Sequence, residues 1–201
     1  MFYSKKTLYL FEIFVDIKII FENFMNIEKI IEIAKTKIDE VELKEHRNQY
    51  TLILNSKDFI LDLLEELKNN NETNFDMLVD ITAIDWARNE NRFELVYFLY
   101  STKNKSRIRI KIPIAENDCI CPTAENIYPS ANWYEREVWD MYGIKFDGHS
   151  DMRRFYMPED FFNQKTGEQY HPLRKDFPLT GIPDSLPLPP YPEKIGKEIE
   201  W

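Results

Sequence analysis

A chain of 201 residues, 43% of them hydrophobic, is long enough for one domain plus an appendage or for two small domains with real cores. Its 26 Lys and Arg against 35 Asp and Glu leave a net charge of −9, which argues against nucleic acid or an anionic membrane as the main partner, because both demand a basic surface. The only two cysteines, Cys119 and Cys121, stand one residue apart and cannot staple distant segments, so the chain suits a reducing compartment.

The N-terminal stretch Met1–Phe24 is strongly apolar, but Glu12, Asp16, Lys18 and Glu22 interrupt it, so it is expected to be a helix rather than a membrane span. It has no secretory cleavage pattern, and its acidic residues do not suit a transit peptide. A second helix starts at an Asn26 cap, with Ile27, Ile30, Ile31, Ala34 and Ile38 on one face. Residues 1–40 are therefore expected to form a helical extension.

Short strands follow at Val41–Glu45 and Gln49–Leu54, with His46 in the turn between them. Asn55 or Ser56 is the expected cap of a helix over Lys57–Lys68, whose apolar face is Ile60, Leu63, Leu64 and Leu67. Three strands come next: Met77–Trp86, Arg92–Tyr100 and Arg107–Ile114. In the last of them Ile108, Ile110, Ile112 and Ile114 alternate with Arg107, Arg109 and Lys111. The intervening turns at Asn89–Arg92 and Thr102–Ser106 make these strands antiparallel neighbours. The expected fold class is α+β: a small, mostly antiparallel sheet with helices on one side, followed by an extended proline-rich C-terminal arm. Cys119 and Cys121 read either as two small side chains near a turn or as two ligands of a metal lacking the rest of its thiolate set.

A further helix runs from a Ser130 cap to Tyr142, with Gly143 as its left-handed stop. The expected division is therefore 1–40 extension, 41–142 domain and 143–201 arm. All five glycines and eight of the eleven prolines fall between Gly143 and Trp201, and Pro183–Pro192 suits only extended, polyproline-like chain. Such a segment lacks the periodic apolar residues to build a core. Tyr156, Phe161, Phe162, Tyr170, Phe177, Tyr191 and Trp201 are poor residues for disorder, so the arm is expected to lie on a partner in an obligate complex.

The densest chemistry lies at the junction, in Trp133–Tyr156. There Glu135, Glu137, Asp140 and Asp151 mingle with Arg136, Arg153, Arg154, His149 and seven aromatics. Three arrangements suit such a set. Glu135 and Glu137 with His149 could be an acid–base site; His149, Asp151 and His171 could hold a metal; or the charges could pair to fix the helix end and the start of the arm. Arg136, Arg153, Arg154, Arg174 and Lys175 supply enough cations to neutralise the carboxylates, which favours the paired network and disfavours bound metal.

The same residues carry a resemblance. Glu135–Glu137, Asp140, Met141–Tyr142, Gly143–Ile144, His149 and Arg153–Arg154, followed by the block HPLRKDFP at His171–Pro178, resemble the thirty-kilodalton subunit family of respiratory complex I, NADH:ubiquinone oxidoreductase. In mitochondrial genomes that family is NADH dehydrogenase subunit 9. The likeness extends upstream through LVDITAIDW to about Val41, and departs from the family pattern at Ser150, where proline is usual, and at Tyr142, where phenylalanine is common. It implies a structural subunit of the peripheral arm beside the quinone-site and terminal iron–sulfur cluster subunits, peripheral on the matrix side of the mitochondrial inner membrane. The complex would use FMN, iron–sulfur clusters, NADH and ubiquinone, with none bound by this chain. Glu135, Arg136, Glu137 and Asp140 are then expected to anchor the helix through ion pairs, with Gly143, His149 and Asp151 as further structural residues of the junction. Arg153, Arg154, His171, Arg174, Lys175 and Asp176 would fix the arm against partner subunits. The same module occurs in related membrane-bound hydrogenases and dehydrogenases.

Overall fold

A computed structural model describes residues 27–36, 41–87 and 90–178. The N-terminal apolar helix, the Asn26 cap, Ile38 and the proline-rich stretch Pro183–Pro192 lie outside the described residues. The fold is α+β, with five strands in the order β1-β2-β5-β4-β3: β1 (Val41–His46), β2 (Gln49–Leu54), β3 (Met77–Asp85), β4 (Phe93–Ser101) and β5 (Ser106–Ile114). Neighbours are antiparallel except β2 and β5, which pair in parallel from Tyr50↔Ile108 to Ile53↔Lys111. A short turn of 3-10 helix, Glu116–Asp118, leads into β6 (Ile120–Pro122), which pairs in parallel with β7 (Lys145–Asp147).

The alternation in β5 has the expected consequence. Ile108, Ile110, Ile112 and Ile114 are buried and meet the inward residues Phe93, Leu95, Tyr97 and Leu99 of β4. Burying each isoleucine is worth roughly 1.5–3 kcal/mol. Pro113, which cannot donate to a ladder, lies beyond the stretch of β5 that pairs with β2. The β1–β2 hairpin turns through Arg47 (φ 52°) and Asn48 (φ 59°), both left-handed as a two-residue primed turn requires. His46 therefore ends β1 rather than sitting in the turn.

Helices α1 (residues 27–36), α2 (Ile60–Asn69) and α3 (Ala131–Tyr142) add to one core. On α1 the buried side chains are Ile30, Ile33 and Ala34, so the face is rotated to include Ile33. On α2 the buried set is Ile60, Leu63, Leu64 and Leu67, as the spacing predicts. Its start differs from expectation. Residues 57–59 form a turn, Phe59 stands at the cap position without a side-chain bond, and the Ser56 hydroxyl donates instead to Asp58 Oδ2 at 2.7 Å. Ser130 likewise heads α3 but does not cap it through its side chain; its hydroxyl donates at 3.5 Å to Leu78 O on β3. The other end of α3 is as predicted: Gly143 is left-handed (φ 80°) and its N–H donates to Trp139 O at 2.8 Å. Beyond it Ile144 and Phe146 are buried in the same core.

Candidate functional site

The C-terminal end of α3 meets residues 149–177 through a set of buried polar contacts. At its centre is Asp140, whose side chain is fully buried. Its Oδ1 accepts from Arg154 Nη1 at 2.6 Å, and its Oδ2 accepts the backbone N–H groups of Phe155, Tyr156 and Met157 at 3.2, 2.7 and 2.8 Å. Burial alone would raise the Asp140 pKa. The Arg154 bond and the three amides outweigh burial and hold it below the usual carboxylate range. Arg154 bridges onward: Nη1 reaches Asp140 O at 3.2 Å, while Nη2 donates to Phe161 O and Tyr170 O, both at 3.1 Å, and to Gln169 Oε1. Its guanidinium lies 5.3 Å from the Trp139 ring centre and 5.8 Å from that of Phe161. Among the described residues, Arg154 Nε is the one buried side-chain nitrogen or oxygen without a partner.

The block at His171–Pro178 docks on the same helix end. Leu173 N–H donates to Met141 O (3.1 Å), Arg174 Nε to Tyr142 O (2.5 Å), and His171 Nδ1 lies 3.1 Å from Asp140 O. These are the carbonyls that a helix terminus leaves without intrahelical donors. Because a carbonyl only accepts, Nδ1 carries the His171 proton. Burial pushes the His171 pKa down to about 4, and the charges of Arg174 and Arg154 act in the same direction. A Cβ on Gly143 would stand 2.5 Å from Arg174 Nη2 and 2.6 Å from His171 Nε2, so the glycine supplies room as well as a left-handed turn.

A second centre, not singled out from the sequence, lies where β3 meets β4. Arg92 grips Asp85 with both prongs, Nε to Oδ1 at 3.1 Å and Nη2 to Oδ2 at 2.9 Å. Its Nη1 pairs with Glu116 at 2.5 Å and with Asp176 at 2.9 Å. Asp85 also accepts the N–H groups of Ala87 and Lys175, each at 2.8 Å. Burial would raise the Asp85 pKa, but the Arg92 bond and these two amides bring it down to about 2. The Asp176 carboxylate is held low chiefly by its bond to Arg92. Lys175 thus enters through its backbone amide. One sequence signal pointed here: an acid and a base flanking the turn of a hairpin, Asp85 and Arg92.

Two expected ion pairs, those of Glu135 and Glu137, are corrected by the geometry, and a third, that of Arg136, is a long one. Glu135 is fully buried with no cation against it; its oxygens accept from Thr123 Oγ1 (2.6 Å) and Ala124 N (2.7 Å), and burial pushes its pKa up to about 7. Arg136 is buried against the rings of Trp133 and Phe155, at 5.2 and 5.3 Å, and donates to the backbone oxygens of Arg153 and Arg154. Its nearest carboxylate, Asp151, is 3.9 Å away. Glu137 makes no ion pair among the described residues; burial first, then the Asp80 charge, raises its pKa. Counting charges along the sequence could not tell a carboxylate facing a hydroxyl from one facing a guanidinium.

The remaining candidates are spread along the connection. His149 accepts from Asp151 N–H at Nδ1 (3.0 Å) and so donates from Nε2 to Asn132 O (3.0 Å). Asp151 pairs with the exposed Arg153 at 2.9 Å. With both ring nitrogens of His149 engaged and His171 bonded to the end of α3, these histidines do not converge with Asp151 on one metal position. Among the described residues no group of three or more His, Cys, Asp or Glu is arranged to hold a metal. Nor does any helix among them have the length and apolarity to cross a membrane. Ser150, the departure from the family pattern, donates through both its N–H (3.0 Å) and its hydroxyl (2.7 Å) to Glu125. Proline could not supply that N–H.

The acid–base alternative also meets an obstacle. Glu135 is sealed beneath Thr123 and Ala124, and it lines neither of two hollows that open at the sheet. What the junction does chemically is neutralise and hold. It satisfies the end of α3 and fixes residues 149–177 against it.

The family described as "Respiratory-chain NADH dehydrogenase, 30 Kd subunit" matches residues 53–183. A subunit of the NADH-quinone oxidoreductase of Trichlorobacter lovleyi is 44% identical over 149 residues, covering 74% of this chain and 86% of the relative. Among solved structures, a trypsin-resistant fragment of Nqo5 (1–134) superposes with a TM-score of 0.54 at 28% identity, covering 63% of this chain and 98% of the fragment. A chain of the membrane-bound sulfane sulfur reductase, an archaeal respiratory membrane complex, gives 0.60 at 31% identity, covering 76% of this chain and 85% of that one.

Proposed function

Because the chain belongs to the 30 Kd subunit family of the respiratory-chain NADH dehydrogenase, we propose that it is a structural and assembly subunit in the peripheral arm of respiratory complex I. It supports electron transfer from NADH to ubiquinone, coupled to proton translocation, by holding the quinone-site and terminal iron–sulfur cluster subunits in place. Residues 41–142 act as the rigid body, residues 143–201 as the arm of attachment, and residues 1–40 as an extension. The observation that carries this reading is Asp140, a fully buried carboxylate whose partners, one guanidinium and three amides, all belong to the start of the arm.

The complex would use FMN and iron–sulfur clusters, and the cysteines of this chain do not fit a cluster. A cluster needs a set of cysteine thiolates. Here there are two cysteines, and the Cys121 thiol is buried 3.7 Å from the Tyr97 hydroxyl with its pKa pushed up to about 12 by burial. We place the subunit on the matrix side of the mitochondrial inner membrane, on a composition rich in Phe, Ile, Asn, Lys and Tyr that suits an AT-rich organellar genome.

Replacing Asp140 leaves Arg154 buried and unpaired, at a cost of about 3–5 kcal/mol. Asp140→Ala is expected to lower the amount of assembled complex while turnover per assembled complex stays near normal, read by native gels with activity staining. Normal assembly with lost turnover would point to chemistry in this chain and sink the scaffold role. A second reading, as the corresponding subunit of a different membrane-bound respiratory complex, is favoured by the TM-score of 0.60 against the sulfane sulfur reductase chain. NADH-oxidising activity co-purifying with the chain in mild detergent decides for the first.

A further inference from the structure

Two hollows open at one end of the sheet, the larger on its outward face and the smaller toward α1, and both are lined by Gln49, Tyr50, Arg107 and Ile108. The larger, about 450 Å³, lies against Met77, Val79, Phe98 and Tyr100; the smaller, about 280 Å³, runs toward Ile30 and Phe75. The apolar floor has a local cause. A bulge between Leu78 and Asp80 leaves Val79 unpaired and 43% exposed, beside Met77 at 48%. On β4, Phe98 and Tyr100 alternate outward from the core residues Tyr97 and Leu99.

The rim is cationic. Arg47, Lys105, Arg107 and Arg109 line the two hollows and no carboxylate does, in a chain whose net charge is −9. Glu45, close enough to act on the Tyr50 hydroxyl, lines neither. Arg47 and Lys105 are carried there by left-handed turns (φ 52° and 51°), a conformation uncommon for residues other than glycine. Among the described residues none of the four makes an ion pair. Arg109 donates to Gln49 Oε1 at 2.5 Å and sits 5.9 Å from the Phe98 ring centre. Lys111, the next outward cation on β5, is by contrast neutralised by Glu94 at 2.7 Å.

An apolar floor beneath unneutralised cations complements apolar side chains flanked by carboxylates, and aromatic and arginine residues are the ones that anchor interfaces. We infer that this end of the sheet is the docking groove for an acidic peptide segment, bearing apolar anchors, of a neighbouring subunit; the inference rests on the assembly role proposed above. A flat anionic membrane would meet the exposed Arg47 and Lys105 at the turns but would leave the recessed apolar floor unfilled.

The test uses the full chain in its intact complex, with Val79 replaced by the photoreactive residue p-benzoylphenylalanine. After irradiation, the expected product is a crosslink to one segment of another subunit with an excess of Asp and Glu. Combining Arg107→Glu with Arg109→Glu should cut its yield about tenfold, while Arg107→Lys with Arg109→Lys should keep most of it. Crosslinks to lipid, to nucleic acid, to this chain itself or to a segment without acidic excess, or no crosslink at all, overturn the inference. The Val79 product in otherwise unaltered protein decides the matter even if the charge-reversed chain fails to fold. If neighbouring subunits do not co-purify with the chain, the assembly role itself has failed; if they do and the crosslink lies elsewhere, only the groove is lost.

Discussion

Gly143 carries two constraints that one substitution can separate. Its φ of 80° disfavours any residue with a Cβ, and that Cβ would also press on Arg174 and His171 at 2.5 and 2.6 Å. Asparagine tolerates the left-handed region better than alanine does, yet it brings the same Cβ. Gly143→Ala is expected to lose about 1–2 kcal/mol from the backbone and more from the crowding. Gly143→Asn should recover only the backbone share. Hydrogen exchange at the Leu173 amide, which donates to Met141 O, reports the docking of the arm directly. Faster exchange in both variants is the expected result; protection in Gly143→Asn equal to wild type would show that the neighbours give way without cost.

At the scale of elements, Asp85 and Arg92 bind the β3–β4 end to Glu116 and to the segment at Lys175–Asp176. Asp85→Asn keeps the shape and removes the charge. Because the folded pKa near 2 lies below the unfolded value, Asp85 contributes about 2 kcal/mol at neutral pH, lost as pH falls from about 4 toward 2. Limited trypsin digestion should cut after Arg174 or Lys175 sooner in Asp85→Asn than in wild type; equal rates would show that the backbone bonds at the α3 end hold the segment alone. Much of this architecture was legible in the chain. The isoleucine alternation of β5, the apolar face of α2 and the glycine stop of α3 are local periodicities, and local rules read them. The parallel pairing of β2 with β5 was not legible, because it joins strands separated by α2 and a whole hairpin. Nor was the Thr123 hydroxyl that meets Glu135 from a different segment. Side-chain partners across the fold carry no periodic signal. The caps of α2 and α3 failed for a related reason: Ser56 and Ser130 found other acceptors.

For the molecule as a whole, two buried groups pull stability in opposite directions across the same pH range. His171 has its folded pKa lowered from 6.5 to about 4, so its contribution is complete above 6.5 and is lost as pH falls. Glu135 has its folded pKa raised from 4.5 to about 7; its contribution is complete below 4.5 and is lost as pH rises toward 7. Each effect amounts to roughly 3 kcal/mol, and they largely cancel between about pH 4.5 and 6.5. Below that window the low carboxylates Asp85, Asp140 and Asp176 must protonate, and stability falls steeply. The cancellation is best seen as differences from wild type, since Glu137 and Asp80, whose pKa values are also raised, then drop out. Glu135→Gln needs no proton, and its amide can still face Thr123 and Ala124. Its melting temperature relative to wild type should rise as pH goes from 4.5 to 7.5. His171→Asn can still donate to Asp140 O, and should show the mirror image, gaining on wild type as pH falls. A Glu135→Gln difference that stays flat across the range would mean that Glu135 ionises in the folded protein as readily as in the unfolded chain. The two bonds from Thr123 and Ala124 would then suffice to hold its charge without a cation.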